Sequence, residues 1–241
     1  HRPWLYKKQF DAIFCDERYS VIEASTKSGK TVGCMVWITE KVLAGKEGQN
    51  FWWIAPIYGT AEIAYRRLKN AVPKELYTAN GSALTITFLN GATLWFKGGD
   101  KPDSLYGEDV YAAVIDEASR CKEEVWHAVR STLTATRGHI RIIGNVKGRK
   151  NWAYQLARKA ESGVPNWRFS KITAHDAIEG GVLEDDEIRE AKRDLPDQIF
   201  KELYLAEPSD DQGNPFGIDA IYKCVAPMSN KEPVCWGWDL A

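Results

Sequence analysis

The stretch "VIEASTKSGKT", residues 21–31, joins an apolar run to the tripeptide Gly29-Lys30-Thr31. A strand that turns directly into a helix directs several backbone N–H groups, and the positive end of the helix dipole, at a single anion. The stretch departs from the phosphate-loop pattern G-x-x-x-x-G-K-[ST] only at Ala24, which replaces the first glycine. Because that glycine mainly permits a turn and alanine is its smallest replacement, we interpret these residues as a phosphate-binding loop.

In such a loop, Lys30 reaches the β and γ phosphates of a nucleotide, and the Thr31 hydroxyl is a ligand of Mg²⁺. A second motif, Asp116-Glu117, directly follows the apolar run that ends in Val114-Ile115. At the carboxyl end of a buried strand, the first carboxylate lies beside the Mg²⁺ and the second polarises water. The two motifs together indicate a nucleotide site that hydrolyses its ligand.

Three further residues are candidates for this site. Asn145 ends the next predicted strand and is predicted to sense the γ-phosphate, although an asparagine after a glycine is also typical of a turn. Upstream of the loop strand, Tyr6 would stack on the base and Gln9 would hydrogen-bond it. The more common alternative is that Tyr6 packs on the core.

Apolar runs alternate with helical patterns as far as Val146, which predicts a mainly parallel α/β sheet with helices on both faces. Asn90-Gly91 predicts a hairpin within 83–99. Strands are predicted at 20–24, 51–56, 110–116 and 139–145, and helices at 30–45, 60–72 and 122–133. Residues 148–208 read as a mostly helical attachment with one strand at 167–173, followed by a turn-rich linker, 209–232, and a short strand, 233–241.

Composition excludes several classes of protein. Hydrophobic residues make up 44% and charged residues 27%, as in ordinary globular proteins. The five cysteines form no C-x-x-C pair, which argues against a disulfide framework or a zinc knuckle. There is no membrane-length apolar run, so we expect a soluble cytoplasmic protein. Since the net charge is -1, a polyanion would be bound by local patches such as 66–69 or 147–150.

The motifs resemble those of the large terminase subunit of tailed double-stranded DNA bacteriophages. The similarity extends over nearly the whole chain, from Gln9 to the final "WGWDLA". It is carried by "ASTKSGKT" (24–31), "IAPIYGTAE" (54–62), "DSLYGEDVYAAVIDEAS" (103–119), "RIIGNVKG" (141–148) and "DLPDQIFKELYLAEPSDDQGNPF" (194–216).

The resemblance implies an ATPase that moves double-stranded DNA into a procapsid, in the host cell cytoplasm. Its fold would be a P-loop NTPase core of the RecA/ASCE-like type at 1–147, with residues 148–208 as a lid subdomain. Asp239 would be a metal ligand in the first strand of an RNase H-like nuclease, whose other carboxylates lie beyond this chain. We therefore expect endonuclease activity of the full-length protein and not of this fragment.

The resemblance also implies a set of partners and site residues. The partners are the portal protein, the small terminase subunit and further copies of the chain in a ring, and we expect the isolated chain to be monomeric. ATP and Mg²⁺ would be the cofactors. The triphosphate would be held by Ser25, Thr26, Lys27, Ser28, Gly29, Lys30 and Thr31, and the chemistry would use Asp116, Glu117 and Asn145.

One departure concerns the arginine that many family members carry in the segment that here reads Ser104-Leu105-Tyr106-Gly107. Such an arginine reaches the nucleotide of a neighbouring copy, which Tyr106 cannot do. The substitutes left open are Arg137, Arg130 and Lys101 from a neighbour, or Lys27 within the same chain.

Two other functions fit part of the pattern. "DEAS" is similar to the D-E-A-D signature of superfamily 2 helicases, but the residues after Asn145 look helical rather than like a second domain of alternating strands and helices. A non-hydrolysing nucleotide switch would not require Glu117 beside the metal ligand.

Overall fold

A computed structural model describes residues 4–208, which form a mostly parallel sheet of eight strands with helices packed on it. The strands are β1 Tyr19–Ala24, β2 Asn50–Ala55, β3 Tyr77–Asn80, β4 Thr85–Phe88, β5 Thr93–Gly98, β6 Val110–Ile115, β7 His139–Gly144 and β8 Trp167–Ile172. The helices are α1 Lys7–Ile13, α2 Lys30–Leu43, α3 Tyr58–Ala71, α4 Glu123–Thr132, α5 Trp152–Glu161, α6 Ala174–Glu179, α7 Asp185–Asp194 and α8 Asp197–Phe200, followed by a π-helical turn, Lys201–Leu205.

The order of the strands is β3-β4-β5-β2-β6-β7-β1-β8. All neighbours pair in parallel except β3 with β4 and β4 with β5. The strand β1, which leads into the loop, is therefore an interior strand, and β7 separates it from β6, which ends at the acidic pair. The predicted α/β class with a mainly parallel sheet is confirmed.

Both faces of the sheet are covered, as the uninterrupted apolar strands predict. Trp52 and Trp53 follow one another on β2 and are both fully buried, on opposite faces. Trp53 packs in the core that includes α1, α2 and α3, whereas Trp52 packs in the core that includes α4 and α5. The sheet is therefore the middle of three layers.

The predicted hairpin at Asn90-Gly91 is confirmed, since β4 and β5 are antiparallel with Thr87 opposite Thr93. Gly91 has φ +78°, a conformation that residues other than glycine rarely adopt. The Asn90 amide donates hydrogen bonds to the carbonyls of Val42 and Gly45, at 2.8 and 3.0 Å. Val42 lies in the last turn of α2 and Gly45 just beyond it, so the hairpin is bonded to the C-terminal end of that helix.

A buried arginine that the sequence analysis did not single out holds α1 against the sheet. Arg141 lies on β7 and is 1% exposed. Its guanidinium donates to the carbonyls of Ile13 and Cys15, both at 2.6 Å, and of Glu17 at 3.1 Å. The charge is thereby hydrogen-bonded where α1 ends, which is what a buried cation requires.

The structure corrects the place of one predicted strand. Residues 167–173 were grouped with the attachment at 148–208, but β8 pairs in parallel with β1 and is an edge strand of the main sheet. The helix α5 likewise packs in the core of the sheet. Only α6, α7, α8 and the π-helical turn form an apolar cluster of their own, around Ala174, Ile188 and Phe200.

The predicted linker at 209–232 and strand at 233–241, including Asp239, lie outside the described residues. Within residues 4–208, no helix is both long enough and apolar enough to cross a membrane.

Candidate active site

The loop predicted from the sequence lies between β1 and α2, where strand and helix were expected. Gly29, the residue before α2, has φ +79°, and Lys27 has φ +57°. Ser25 is fully buried, and its hydroxyl has no hydrogen-bond partner within the described chain. The N–H groups of Lys27, Ser28 and Gly29 make no hydrogen bond within residues 4–208. Such a set of donors at a helix N-terminus is suited to an anion.

Two side chains of the N-terminal segment donate hydrogen bonds to backbone carbonyls of the loop. The Gln9 side chain donates through Nε2 to the carbonyl of Gly29, at 2.7 Å, and the Tyr6 hydroxyl donates to the carbonyl of Ser28, also at 2.7 Å. A Cβ atom on Gly29 would lie 2.8 Å from Gln9 Nε2, so this glycine also makes room for the glutamine. Both contacts fix the shape of the loop.

The predicted stacking of a base on Tyr6 is wrong. Tyr6 is only 5% exposed, and its ring lies under Gly180, where a Cβ would approach the ring to 2.5 Å. Burial raises the pKa of the Tyr6 hydroxyl, with a smaller contribution from Asp176. The packing alternative therefore holds for Tyr6.

The ammonium group of Lys30 is the centre of the predicted constellation. It donates to the side-chain oxygen of Asn145 at 3.2 Å and to the carbonyl of Ser25 at 3.3 Å, and it lies 3.7 Å from Glu117 Oε1. The residue is 6% exposed. Three elements that are far apart in sequence, the loop, the end of β6 and the end of β7, therefore meet at one cation.

The acidic pair divides into a buried and a half-buried carboxylate. Burial, followed by the charge of Glu117, raises the pKa of Asp116 to about 7, although Lys30 opposes the shift. Glu117 has φ +49°, and its N–H donates to Asp116 Oδ1 at 3.0 Å. Its carboxylate also lies 3.8 Å from Arg120 Nε. Asp116 is thus placed in a dry environment that favours its neutral form unless a further cation binds.

The carbonyl of Leu203 is a feature of the site that the sequence analysis missed. It accepts the N–H of Thr26 at 2.7 Å and the side-chain amide of Asn145 at 3.4 Å. Next to it, the Glu202 carboxylate accepts the N–H of Gly148 at 3.1 Å. The π-helical turn therefore contacts both the loop and the segment after β7. A backbone carbonyl leaves no trace in a sequence pattern, so only the three-dimensional structure reveals this contact.

The sequence analysis also missed a buried ion pair at the end of β1, next to the loop. Glu23, two residues before Ser25, is 7% exposed and lies 2.6 Å from Arg158 Nη2 on α5. Burial raises the pKa of Glu23 to about 7 even though Arg158 acts in the opposite direction. The signal was present in the sequence, because a charged residue interrupts the apolar strand "SVIEA".

The candidates for an arginine finger lie in different places. Lys27 is exposed within the loop itself, and Lys101 is exposed beside Tyr106. Arg130 and Arg137 lie at the opposite edge of the sheet, because Arg137 precedes β7 and Asn145 follows it. Six strand residues span roughly 20 Å, so neither arginine can reach the loop of its own chain.

Comparisons with known proteins agree with this arrangement. The family model described as "Terminase large subunit, T4likevirus-type, N-terminal" matches residues 21–222. A large terminase subunit of Thermus virus P23-45 is 26% identical over 231 aligned positions, which cover 81% of this chain and 47% of that protein. The chain thus spans about half the length of the curated relatives that it matches.

Solved structures show the same fold. The large terminase ATPase domain of Thermus phage P74-26 superposes with a TM-score of 0.65 at 22% identity, covering 85% of this chain and 94% of that one. The large terminase of another thermophilic bacteriophage, in complex with ADP, gives a TM-score of 0.70 at 17% identity, covering 84% and 53%. The predicted P-loop fold class is confirmed, and since the family model covers most of the sequence, the chain belongs to the T4-like-virus type of large terminase subunits, in their N-terminal region.

Proposed function

We propose that this chain is the ATPase motor domain of a terminase large subunit and couples ATP hydrolysis to movement of double-stranded DNA into a procapsid. The position of Lys30 carries the proposal. Lys30 is the first residue of α2, and its ammonium group lies 3.2 Å from Asn145 Oδ1 and 3.7 Å from Glu117 Oε1. A triphosphate bound by the loop would therefore meet a cation, a candidate base and a candidate sensor together.

The loop offers the donors that a triphosphate requires. The residues from Ser25 to Thr31 would hold it, chiefly through the N–H groups of Lys27, Ser28 and Gly29 and the Ser25 hydroxyl. Gln9 already bonds Gly29, and we propose that its remaining amide oxygen faces the base. In support, a thermophilic bacteriophage terminase with this fold has been solved in complexes with ADP and with ATP-γ-S.

The donor set also fits Mg²⁺ bound together with the nucleotide. Among residues 4–208, no group of three or more His, Cys, Asp or Glu side chains is placed to hold a metal ion. Mg²⁺ commonly uses only one or two carboxylates and completes its shell with phosphate oxygens and water. Asp116 and Thr31 are the proposed protein ligands, and the ion would neutralise charge on the phosphates. A cation beside Asp116 would restore its ionised form.

The remaining roles, those of the base and the sensor, belong to Glu117 and Asn145. Glu117 would accept a proton from the attacking water once Lys30 binds the phosphates, because its carboxylate is partly open to solvent, with the side chain 30% exposed. Asn145 would exchange its bond to Lys30 for one to the γ-phosphate. Asn145 also donates to Leu203, so that exchange would alter a contact of the π-helical turn. Through the apolar cluster that this turn shares with α6, α7 and α8, the change would reach those helices.

The partners and the second activity are proposals that rest on family membership. They comprise double-stranded DNA, the portal protein, the small terminase subunit and further copies of the chain in a ring, all in the host cell cytoplasm. In the complete protein, Asp239 would bind a metal ion in the nuclease that cuts concatemeric DNA.

Steady-state ATP turnover by the purified chain, with and without duplex DNA, tests the proposal. We expect Mg²⁺-dependent hydrolysis that Asp116→Asn removes, because the amide cannot replace the carboxylate at the metal. A chain that binds ATP without turnover would be a switch. Displacement of one strand of a DNA duplex would instead indicate a helicase.

A further inference from the structure

A cluster of cations surrounds three aromatic rings at the edge of the sheet that lies opposite the phosphate loop. Tyr19 and Trp167 are the first residues of β1 and β8, and Trp126 lies on α4. We refer to the cluster as the amino-edge patch. It consists of the rings of Tyr19, Trp126 and Trp167 and the cations of Arg18, Arg130, Arg137 and Lys159.

The rings form a single platform. Tyr19 stacks on Trp167 with 4.8 Å between centroids, and Trp126 meets Trp167 edge-on at 5.8 Å. The cations lie over this platform, with the Arg130 guanidinium 5.4 Å from the Tyr19 ring and the Lys159 ammonium 5.4 Å from the Trp167 ring. Cation–π contacts of this kind hold long side chains in place. Arg18, Arg130 and Lys159 are therefore positioned by the rings before any partner binds.

Arg18 organises the patch. It donates to the carbonyl of Leu133 at 2.6 Å and to that of Gly138 at 3.0 Å, so it braces the turn that carries Arg137. Arg137 is exposed and has φ +53°, a conformation that costs energy for a residue other than glycine. The turn therefore presents an arginine to solvent in a strained conformation that a second arginine stabilises.

The cations of the patch have no ion-pair partner in the part of the chain that the structure describes. Within residues 4–208, no carboxylate lies within ion-pair distance of Arg18, Arg130, Arg137 or Lys159; among neighbouring cations, Arg168 does have such a partner, Glu17 at 4.0 Å. Burial lowers the pKa of Arg18, and the positive charges of Arg130 and Arg137 act in the same direction. In a chain whose net charge is -1, the patch is a local concentration of like charge.

The patch offers little apolar surface to a partner. Tyr19 is 6% exposed, and Trp126 and Trp167 are half-buried. The centre of a protein–protein interface is apolar, whereas a surface for nucleic acid is polar and positively charged. Charge and exposure together favour a nucleic acid over a protein as the partner.

From these observations we infer that the amino-edge patch binds the phosphate backbone of duplex DNA through Arg130, Arg137 and Lys159. The inference rests on the proposed function for the choice of duplex DNA as the nucleic acid. It adds a DNA-contact surface at the amino ends of the strands, whereas the phosphate loop lies at their carboxyl ends.

Equilibrium binding of a fluorescently labelled duplex by the 241-residue chain tests the inference. We expect the Arg130→Ala/Arg137→Ala/Lys159→Ala variant to bind duplex at least about tenfold more weakly near 0.1 M salt. Its dependence of log affinity on log salt should be shallower by roughly 2 to 3, since each lost phosphate contact removes about 0.9. The loss should be the same for duplexes of unrelated sequence.

A control variant removes three positive charges elsewhere. Lys74, Lys192 and Arg193 are exposed and lie outside the patch, so their triple alanine variant should bind DNA much as the wild type does. Replacing Arg130 and Arg137 by lysine keeps both charges and should retain binding. Thermal unfolding of every variant shows whether it is folded.

Three outcomes would overturn the inference. They are absence of duplex binding by the wild type, equal losses in the patch and control variants, and tighter patch-dependent binding of an acidic polypeptide than of DNA. ATP turnover of the wild type without DNA is measured in parallel. A wild type without turnover would instead mean that the proposed function fails.

Discussion

The ammonium group of Lys30 and the side-chain oxygen of Asn145 are 3.2 Å apart, although the two residues are 115 positions apart in sequence. The same asparagine donates to the carbonyl of Leu203. A phosphate bound at Lys30 would compete with this first contact and so act on the second. The nucleotide site and the segment after β8 are therefore joined by one side chain.

We expect Lys30→Ala to abolish ATP binding, because Lys30 is the cation that the loop, β6 and β7 jointly surround. Calorimetric titration of the variant with ATP and Mg²⁺ measures the effect. Lys41→Ala removes a lysine from the same helix α2, away from the loop, and should bind ATP normally. Wild-type affinity in Lys30→Ala would show that the loop assignment is wrong.

Glu117→Gln should keep ATP bound while turnover falls about 10²- to 10⁴-fold, the usual contribution of a general base. The amide preserves the size of the side chain but cannot accept a proton from water. Glu124→Gln on α4, which is exposed, is the matched control. If single-turnover hydrolysis by Glu117→Gln were close to the wild-type rate, the base would be another residue.

Glu23 should make the protein less stable as pH rises. Burial raises its pKa from 4.5 to about 7 in the folded state, so the folded chain binds the extra proton between these values. Its favourable contribution is complete below about pH 4.5 and is lost as pH rises through about 7, by up to about 3 kcal/mol. Asp116 shifts in the same direction and adds to the slope.

Urea unfolding at pH 5 and pH 8 without nucleotide measures this loss. Glu23→Gln should lose less stability between the two pH values than the wild type, because its amide does not titrate. Glu161→Gln replaces the other carboxylate that contacts Arg158, at an exposed position, and should keep the wild-type slope. Equal slopes in the wild type and Glu23→Gln would contradict the shifted pKa.

The isolated chain should be largely monomeric and a slow ATPase whose specific activity does not change with protein concentration. The reason is that Tyr106, 51% exposed, occupies the segment in which the resemblance led us to expect an arginine. Sedimentation and turnover measured across a wide concentration range provide the test. A rise in specific activity that Arg137→Ala abolishes would instead identify a residue that acts on a neighbouring copy.

Local patterns predicted the main sheet because each strand from β1 to β7, except β3, combines apolar residues with a clear turn or helix signal. Gly29, Asn90 and Gly91 are examples of residues whose chemistry determines the backbone around them. The strand β3, "YTAN", has one buried residue and three exposed ones, so it lacks a periodic apolar signal. The helix α1 is only seven residues long and depends on Arg141, which is remote in sequence.

For the candidate site too, some residues could be predicted from the sequence and others could not. Lys30, Asp116, Glu117 and Asn145 could be predicted because each follows a recognisable strand, and parallel strands bring their carboxyl ends to one edge. Tyr6 was misjudged because the packing of Gly180 over its ring depends on α6, whose position no local pattern reveals. The place of β8 was misjudged because a strand that follows helices gives no sign of which sheet it joins.

The strand β1, which leads into the loop, pairs with β7 on one side and with β8 on the other. Force on the chain that follows β8 can therefore reach the loop through hydrogen bonds. The N–H of Ser25 donates to the carbonyl of Ile172 at 2.8 Å, and that of Thr26 to the carbonyl of Leu203 at 2.7 Å. The Ser25–Ile172 bond extends the ladder between β1 and β8, and hydrogen bonds between parallel strands run across the strand direction. Tension along β8 therefore strains this bond in shear, together with the rest of the ladder. Ser25, the first residue after β1, therefore lies in the line of force of a pull along β8, and Thr26 is bonded to the π-helical turn further along the chain.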